Sequence, residues 1–232
     1  MTFPRGPLKL DDCQSHGPGS GAELFVVEGD SAADSVSRVR DAAFQAVLPM
    51  QGKPLNALKA TERKVAGHPL YQALADAIGA GIGDRFDLTA CRYERILLLM
   101  DPDADGIHCG VLMLMFFQRW MPALLDAGRI EIVRPPWGEV LAAGAASPTF
   151  AFSEPELQLL ADGLRARGGV VARRYRGLAA IEPGVLAATC VAPASRRTSR
   201  VSAAEAASLI GILNAPPTEA RRASEERGRW SE

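Results

Sequence analysis

The chain has no stretch long and apolar enough to cross a membrane. Its longest apolar run, Val111 to Phe117, falls far short of the ~20 residues that a spanning helix needs. The first residues, Met1-Thr-Phe-Pro-Arg-Gly-Pro7, have no apolar core of the kind that marks a signal peptide. Cysteines number four (Cys13, Cys91, Cys109, Cys190) and show no C-x-x-C spacing. That argues against a zinc site or a redox pair, and points to reduced thiols in a cytoplasmic protein without a membrane partner. Net charge is also nearly absent, at −1 over 232 residues. A balance this close to zero neither demands nor excludes a nucleic-acid partner, so the placement of charge matters more than its sum. Aromatics are scarce at 6%, whereas glycine (22) and proline (16) are plentiful. There is no internal repeat.

What is present is an alternation of short apolar runs and helical patterns. Leu24–Val27, Ala46–Pro49, Ile96–Leu99 and Ile130–Val133 read as strands without in–out alternation, as expected of strands covered on both faces. Between them lie a helix capped by Asp30 or Ser31 and running to about Ala42, and a helix over Thr61–Ala80 broken near His68-Pro69. A long, almost wholly apolar helix over Ile107–Ala127, kinked at Pro122, follows. This order predicts an α/β fold, a parallel sheet flanked by helices. Beyond it the character changes. Ala142–Thr149 is a small-residue link, and Glu154–Arg167 is an amphipathic helix. Val170–Leu178 reads as extended, Pro183–Ala188 as a short helix, Thr198–Val201 as a strand and Ala203–Leu213 as a helix.

Two of the apolar runs end in acid. Leu24-Phe-Val-Val leads into Glu28-Gly-Asp30-Ser31. Ile96-Leu-Leu-Leu-Met leads into Asp101-Pro-Asp103-Ala-Asp105-Gly106. In open parallel sheets, ligands bind outside the carboxyl ends of the strands. If these two strands are neighbours, Glu28 and Asp101 converge, and Asp103 and Asp105 on the following turn join them. Carboxylates so close repel one another unless protonated or neutralised by a cation. An all-oxygen set favours Mg²⁺. Other readings of D-x-D-x-D-G fail on particular residues. A calcium EF-hand loop needs a carboxylate at its twelfth position, where Leu112 stands, and a helix before it, where there is a strand. A haloacid dehalogenase-like phosphatase wants Thr or Val where Asp105 is, and leaves Glu28 unexplained. For a glycosyltransferase D-x-D there is no accompanying nucleotide-sugar signal. Arg165, Arg167, Arg173, Arg174, Arg176, Arg196, Arg197 and Arg200 crowd the later part of the chain with few acids among them. That reads as a phosphate-facing surface, or else a solvated basic face.

Glu-Gly-Asp-Ser-Ala at 28–32, with the aspartate triplet at 101–105 and Gly106-x-His108, resembles the toprim domain of type IIA DNA topoisomerases, in the form found in the B-type chain of gyrase or topoisomerase IV. Further similarity lies in Leu8-Lys-Leu-x-Asp12-Cys13, Gln45–Pro49, Gly52-Lys53-x-Leu-Asn56, Phe116-Phe117, Met121-Pro122 and Pro135-Pro136. Arg174-Tyr-Arg-Gly-Leu178 and Ala194-Ser-Arg-Arg197 extend it, so that it covers about residues 6 to 213. The resemblance implies a Rossmann-like toprim sheet with a small α+β tail, divided as a lead-in (1–22), the toprim domain (23–140), the tail (141–214) and a disordered end (215–232). It implies that Glu28, Asp101, Asp103 and Asp105 hold Mg²⁺, with Mn²⁺ able to substitute, and that Glu28 also acts as general acid or base. Lys53, Asn56, His108, Arg174 and Arg176 are implied to face DNA.

The implied partners are DNA, a gyrase A-type subunit carrying the nucleophilic tyrosine, and a separate ATPase chain, since nothing here resembles a nucleotide-binding loop. The implied activity is DNA cleavage and religation together with that subunit, without ATP bound to this chain. The alternative is a divergent, non-catalytic paralogue that binds the A-type subunit or DNA and modulates topoisomerase. Four departures stand out: Ala33-Asp34 replaces the family's Gly-Gly, Gln51 a basic residue and Gly110 an arginine, while Pro102 stiffens the aspartate turn.

Overall fold

Residues 9–165 and 169–214 are described by a computed structural model of the chain. The strands are β1 (Glu23–Glu28), β2 (Gln45–Met50), β3 (Arg95–Leu99), β4 (Ile130–Val133), β5 (Gly138–Ala142), β6 (Thr149–Ala151), β7 (Val170–Arg174) and β8 (Thr198–Arg200). β1 to β4 pair in parallel, and β8 closes the edge antiparallel to β4, in the order β2-β1-β3-β4-β8. The α/β class expected from the alternation of elements is thus present as a mostly parallel sheet. Its last strand comes from the later part of the chain.

The helices are α1 (Gly29–Ser37), α2 (Glu62–Ala66), α3 (Pro69–Ile78), α4 (Ala104–Trp120), α5 (Pro122–Asp126), α6 (Glu154–Arg165), α7 (Pro183–Leu186) and α8 (Ala203–Asn214). The strands show no alternation because both faces of the sheet are covered. Leu24, Val26, Ile96 and Leu98 point into a core built with α3, α4 and α8. Phe25, Val27, Leu97 and Leu99 point to the other face, against Val36 of α1 and Leu178 and Leu186 of the later segment. On the first face the rings of Tyr71 and Phe116 stack at 4.4 Å, and the Tyr71 hydroxyl donates to the Leu55 carbonyl at 2.7 Å. Such aromatic pairs are worth about 0.5–1.5 kcal/mol beyond the area they bury.

Several boundaries differ from expectation for local reasons. α1 stops at Ser37, five residues before Ala42, and neither Asp30 nor Ser31 caps it. Arg40, nearly buried, instead reaches back to the Gln45 carbonyl and to Asp11, which holds the chain in a turn toward β2. The break at His68-Pro69 is there, and α3 ends at Gly79 in the left-handed region (φ +73°). The long apolar helix starts earlier than Ile107, at Ala104, and Pro122 splits it into α4 and α5. β5 and β6 enclose the stretch expected to be only a link. With β7 they form a separate antiparallel sheet, β6-β5-β7, on which α6 packs. Arg167, expected at the end of that helix, and residues 215–232 lie outside the described residues. Among the described residues no helix is long and apolar enough to cross a membrane.

Candidate metal centre

β1 and β3 lie side by side in parallel, with Val27 opposite Leu99. Both strands therefore deliver their acids at the same end of the sheet. Glu28 is the last residue of β1, and Gly29, at φ +79°, turns the chain at once into α1, a conformation costly for any residue with a Cβ. Asp101 follows β3 by two residues. Asp103 accepts from the Gly106 amide at 2.9 Å and so caps α4. Asp105 lies in the first turn of α4. Cys109 lies four residues further on, hence on the same helical face.

A Glu28 carboxylate oxygen, an Asp105 oxygen and the Cys109 sulfur all lie within 4.8 Å of one another. Glu28 Oε2 is buried and has no hydrogen-bond partner among the described residues. A buried carboxylate oxygen left unpaired is costly unless something fills the gap. Burial raises the Glu28 carboxyl above its ordinary range, and repulsion from Asp101, Asp105 and Asp103 adds to the shift. Asp101 is also raised, by burial first; the Leu178 amide opposes the shift and Asp103 adds a smaller push upward. The Cys109 thiol, pushed up by burial and by the Glu28 and Asp105 carboxylates to about 11, is protonated at neutral pH. Asp105 is held below the usual carboxylate range by Lys53, which is half-exposed and pairs with it directly. Neutralising this group takes positive charge, and Lys53 supplies only part of it from the solvent side.

The aspartate turn is fastened from a distant part of the chain. Asp101 Oδ1 accepts from the Leu178 amide at 2.8 Å. A Cβ on Gly177 would sit 2.9 Å from Asp101 Oδ2, so the carboxylate fills the space a side chain would need. Replacing Gly177 with Ala is expected to dislodge that carboxylate and lower stability by roughly 1–3 kcal/mol, read by thermal melting. An unchanged melting point would show that the contact contributes nothing.

The other residues singled out from the sequence fall in different places. Lys53 lines the same cleft as Glu28, Asp105 and Cys109. Asn56 is half-buried and accepts from the Lys59 amide at 3.3 Å. His108, one residue before Cys109, is half-buried. Arg176 is exposed and borders a second cleft shared with Glu28, Asp101 and Gly177. Arg174 lies over the Trp137 ring at 4.4 Å.

The reading of the arginines as one phosphate-facing surface needs correction. Arg196 is buried in a two-pronged ion pair with Glu23, both bonds at 2.6 Å. Arg197 packs on Phe152, and Arg200 and Arg173 approach Glu131 and Glu139 at 3.6 and 3.7 Å. Sequence shows the charges but not the acids that neutralise them. Cys109 was missed among the site residues, although its spacing from Asp105 is the signal that places it there.

The Toprim domain family matches residues 23–135, the span from β1 past the end of β4. The DNA gyrase B protein of Archaeoglobus fulgidus is 39% identical over 219 residues, covering 93% of this chain and 34% of that protein. Residues 23–135 are a toprim domain, in a chain similar to gyrase B proteins. Its relatives include the DNA gyrase B protein of Mycolicibacterium smegmatis, 38% identical over 93% of this chain and 33% of that protein. The Thermus thermophilus counterpart is 38% identical over 97% of this chain and 36% of that protein. The chain thus spans about a third of the length of the curated relatives it matches. In this toprim region, the strand ends that carry Glu28 and Asp101 lie inside the family match, while Gly177 and Leu178, which hold Asp101, lie beyond it.

Proposed function

We propose that this chain is the Mg²⁺-binding toprim part of a type IIA topoisomerase, working with an A-type subunit in DNA cleavage and religation. The observation that carries the reading is the buried, unpartnered oxygen of Glu28, facing the carboxylates of Asp101, Asp103 and Asp105. An oxygen-rich, electron-dense opening of this kind fits a hard divalent cation. Glu28, Asp101 and Asp103, with Asp105 assisting, would hold it. When bound, Mg²⁺ supplies positive charge to a scissile phosphate and its leaving oxygen.

The chain's own residues take the other roles. Glu28, held above the ordinary carboxylate range by burial, is suited to give or take a proton at the leaving oxygen. Lys53, half-exposed at the mouth, offers its ammonium to the phosphate backbone once it leaves Asp105. Arg176 borders the cleft on the Asp101 side. Asn56, His108 and Arg174 are assigned to the flanking DNA. The nucleophilic tyrosine belongs to the A-type subunit, and DNA is the substrate.

A second reading, a non-catalytic module that docks on the A-type subunit or DNA, gains from the burial of Arg196 against Glu23, which takes one positive charge off the surface, and from the acids Glu139 and Glu131 beside the exposed Arg173 and Arg200. One assay separates the two: supercoiled plasmid, Mg²⁺ and an A-type subunit, with the wild-type chain or Asp101→Asn. Cleavage or relaxation that needs both the A-type subunit and Asp101 supports the first reading. Capture of the A-type subunit without cleavage supports the second. Nicking by this chain alone overturns both in favour of a toprim nuclease. Millimolar Mg²⁺ is also expected to raise the melting temperature of the wild type, by up to about 2.7 kcal/mol of added stability at a hundredfold excess over Kd. Asp101→Asn should lose that gain.

A further inference from the structure

We infer that Glu28, Asp105 and Cys109 form a mixed sulfur–oxygen site that takes a thiophilic divalent cation of the zinc class, in competition with Mg²⁺. Among the described residues these three offer donor atoms within 4.8 Å of one another. The sulfur lies 3.9 Å from Glu28 Oε1, and Cys109 is only 2% exposed, so it is held in place rather than free to rotate away. Asp105 and Cys109 stand four residues apart on α4. That is the spacing by which one helical face presents two ligands to a single ion. Glu28 approaches from the end of β1, and its Oε2 is buried with no hydrogen-bond partner among the described residues.

Three protein ligands leave a position open for water or substrate, as in catalytic zinc sites. The cleft walled by Gly29, Met50, Gly52 and Lys53 gives the ion a way in. The lack of C-x-x-C spacing in the sequence argued against a zinc site. This one uses a single sulfur and two carboxylates.

The choice of ion follows from ligand softness. A sulfur ligand favours zinc-class ions, while Mg²⁺ takes oxygen and keeps its water. On binding, the sulfur coordinates as thiolate and its proton passes to the buffer, so each ion bound releases one proton. Lys53 must let go of Asp105, which its exposed, flexible stem permits. The competition with Mg²⁺ rests on the function proposed above; the sulfur ligation does not.

The test uses Cd²⁺, a softer ion of the same charge whose bond to thiolate gives an ultraviolet charge-transfer absorption. Titration of the full chain is expected to produce that band and saturate at one equivalent. Cys109→Ala should abolish it. Glu28→Gln, which leaves the sulfur in place, should weaken Cd²⁺ binding by at least the roughly 10–100-fold that even outer-shell changes cost. Zn²⁺ should displace Cd²⁺ and remove the band. Cys13, Cys91 and Cys190 are buried elsewhere and belong to no such group among the described residues, so a band that survives Cys109→Ala overturns the site. A normal band in Glu28→Gln with unchanged affinity overturns it equally, and does so even if Cys109→Ala fails to fold. Millimolar Mg²⁺ is expected to raise the apparent Kd for Cd²⁺. A Cys109-dependent band indifferent to Mg²⁺ would leave the sulfur site standing and overturn the shared Mg²⁺ site alone.

Discussion

Arg196→Ala is expected to destabilise the protein by about 3–5 kcal/mol, the cost of leaving a buried charge without its partner. Arg196 and Glu23 are each only 2% exposed in their side chains, and two bonds of 2.6 Å join them. Gln45 adds a bond to Glu23 at 2.8 Å, whereas Arg95 approaches from the rim at 3.3 Å with its own side chain 42% exposed. Arg95 therefore cannot replace what Arg196 supplies. For a chain of this size the loss should lower the melting temperature by on the order of 10 °C. Adding Glu23→Gln to Arg196→Ala should recover part of it, because the stranded charge is then gone. A melting point within about 2 °C of wild type for the single variant would show that the pair is not a structural clasp.

The consequence of that clasp is architectural. Arg196 lies in the later segment, just before β8, and Glu23 and Gln45 lie at the amino ends of β1 and β2. Both Gln45 and Arg196 also bond the Val191 carbonyl, at 3.1 and 3.2 Å, at the end of the π-helical turn Ala187–Val191. The later segment is thus tied to the sheet at the end opposite the acids, and through Leu178 it touches Asp101 at the acid end. Loss of the clasp should loosen both attachments.

This network also marks how far the sequence could be read. The first four strands of the sheet were legible as apolar runs, because strands covered on both faces need no alternation. The delivery of Glu28 and Asp101 to the same end of the sheet was legible as well, since it required only that β1 and β3 be neighbours. Pairings over long separations were not. Nothing local in Arg196 distinguishes it from Arg197, yet one is a buried ion-pair partner 173 residues from Glu23 and the other rests on Phe152. β5 and β6 were hidden for a different reason. Gly138-Glu-Val-Leu-Ala142 and Thr149-Phe-Ala151 are short, and outer positions such as Leu141 are exposed, so neither carries the apolar signal of a covered strand. Cys109 was hidden inside the apolar pattern of α4, where a thiol counts as one more hydrophobic residue.

Gly106→Ala should damage the candidate centre more than any substitution of the acids themselves, because it acts on the backbone that positions them. A Cβ at this position would lie 2.1 Å from the Asp101 carbonyl oxygen and 2.9 Å from the Asp101 carbonyl carbon and nitrogen. All three atoms are main chain, so no side chain can swing aside. At Gly177 the neighbour is the end of a carboxylate, which can. Gly106 needs no unusual φ; it is glycine for space alone. Relief requires the first turn of α4 to move away from the aspartate turn, and the same movement breaks the 2.9 Å cap from the Gly106 amide to Asp103. Overpacking against a rigid partner costs about 1–3 kcal/mol or more, and loss of the cap about another 1 kcal/mol. The expected result is a fall of several kcal/mol in stability together with loss of any Mg²⁺-dependent rise in melting temperature, since Asp101, Asp103 and Asp105 would no longer face Glu28. Asp101→Asn should show only the second effect, because it removes charge without moving the chain. A Gly106→Ala protein that melts like the wild type and still responds to Mg²⁺ would mean that the turn yields freely, and that the close approach of α4 to Asp101 does not set the geometry of the site.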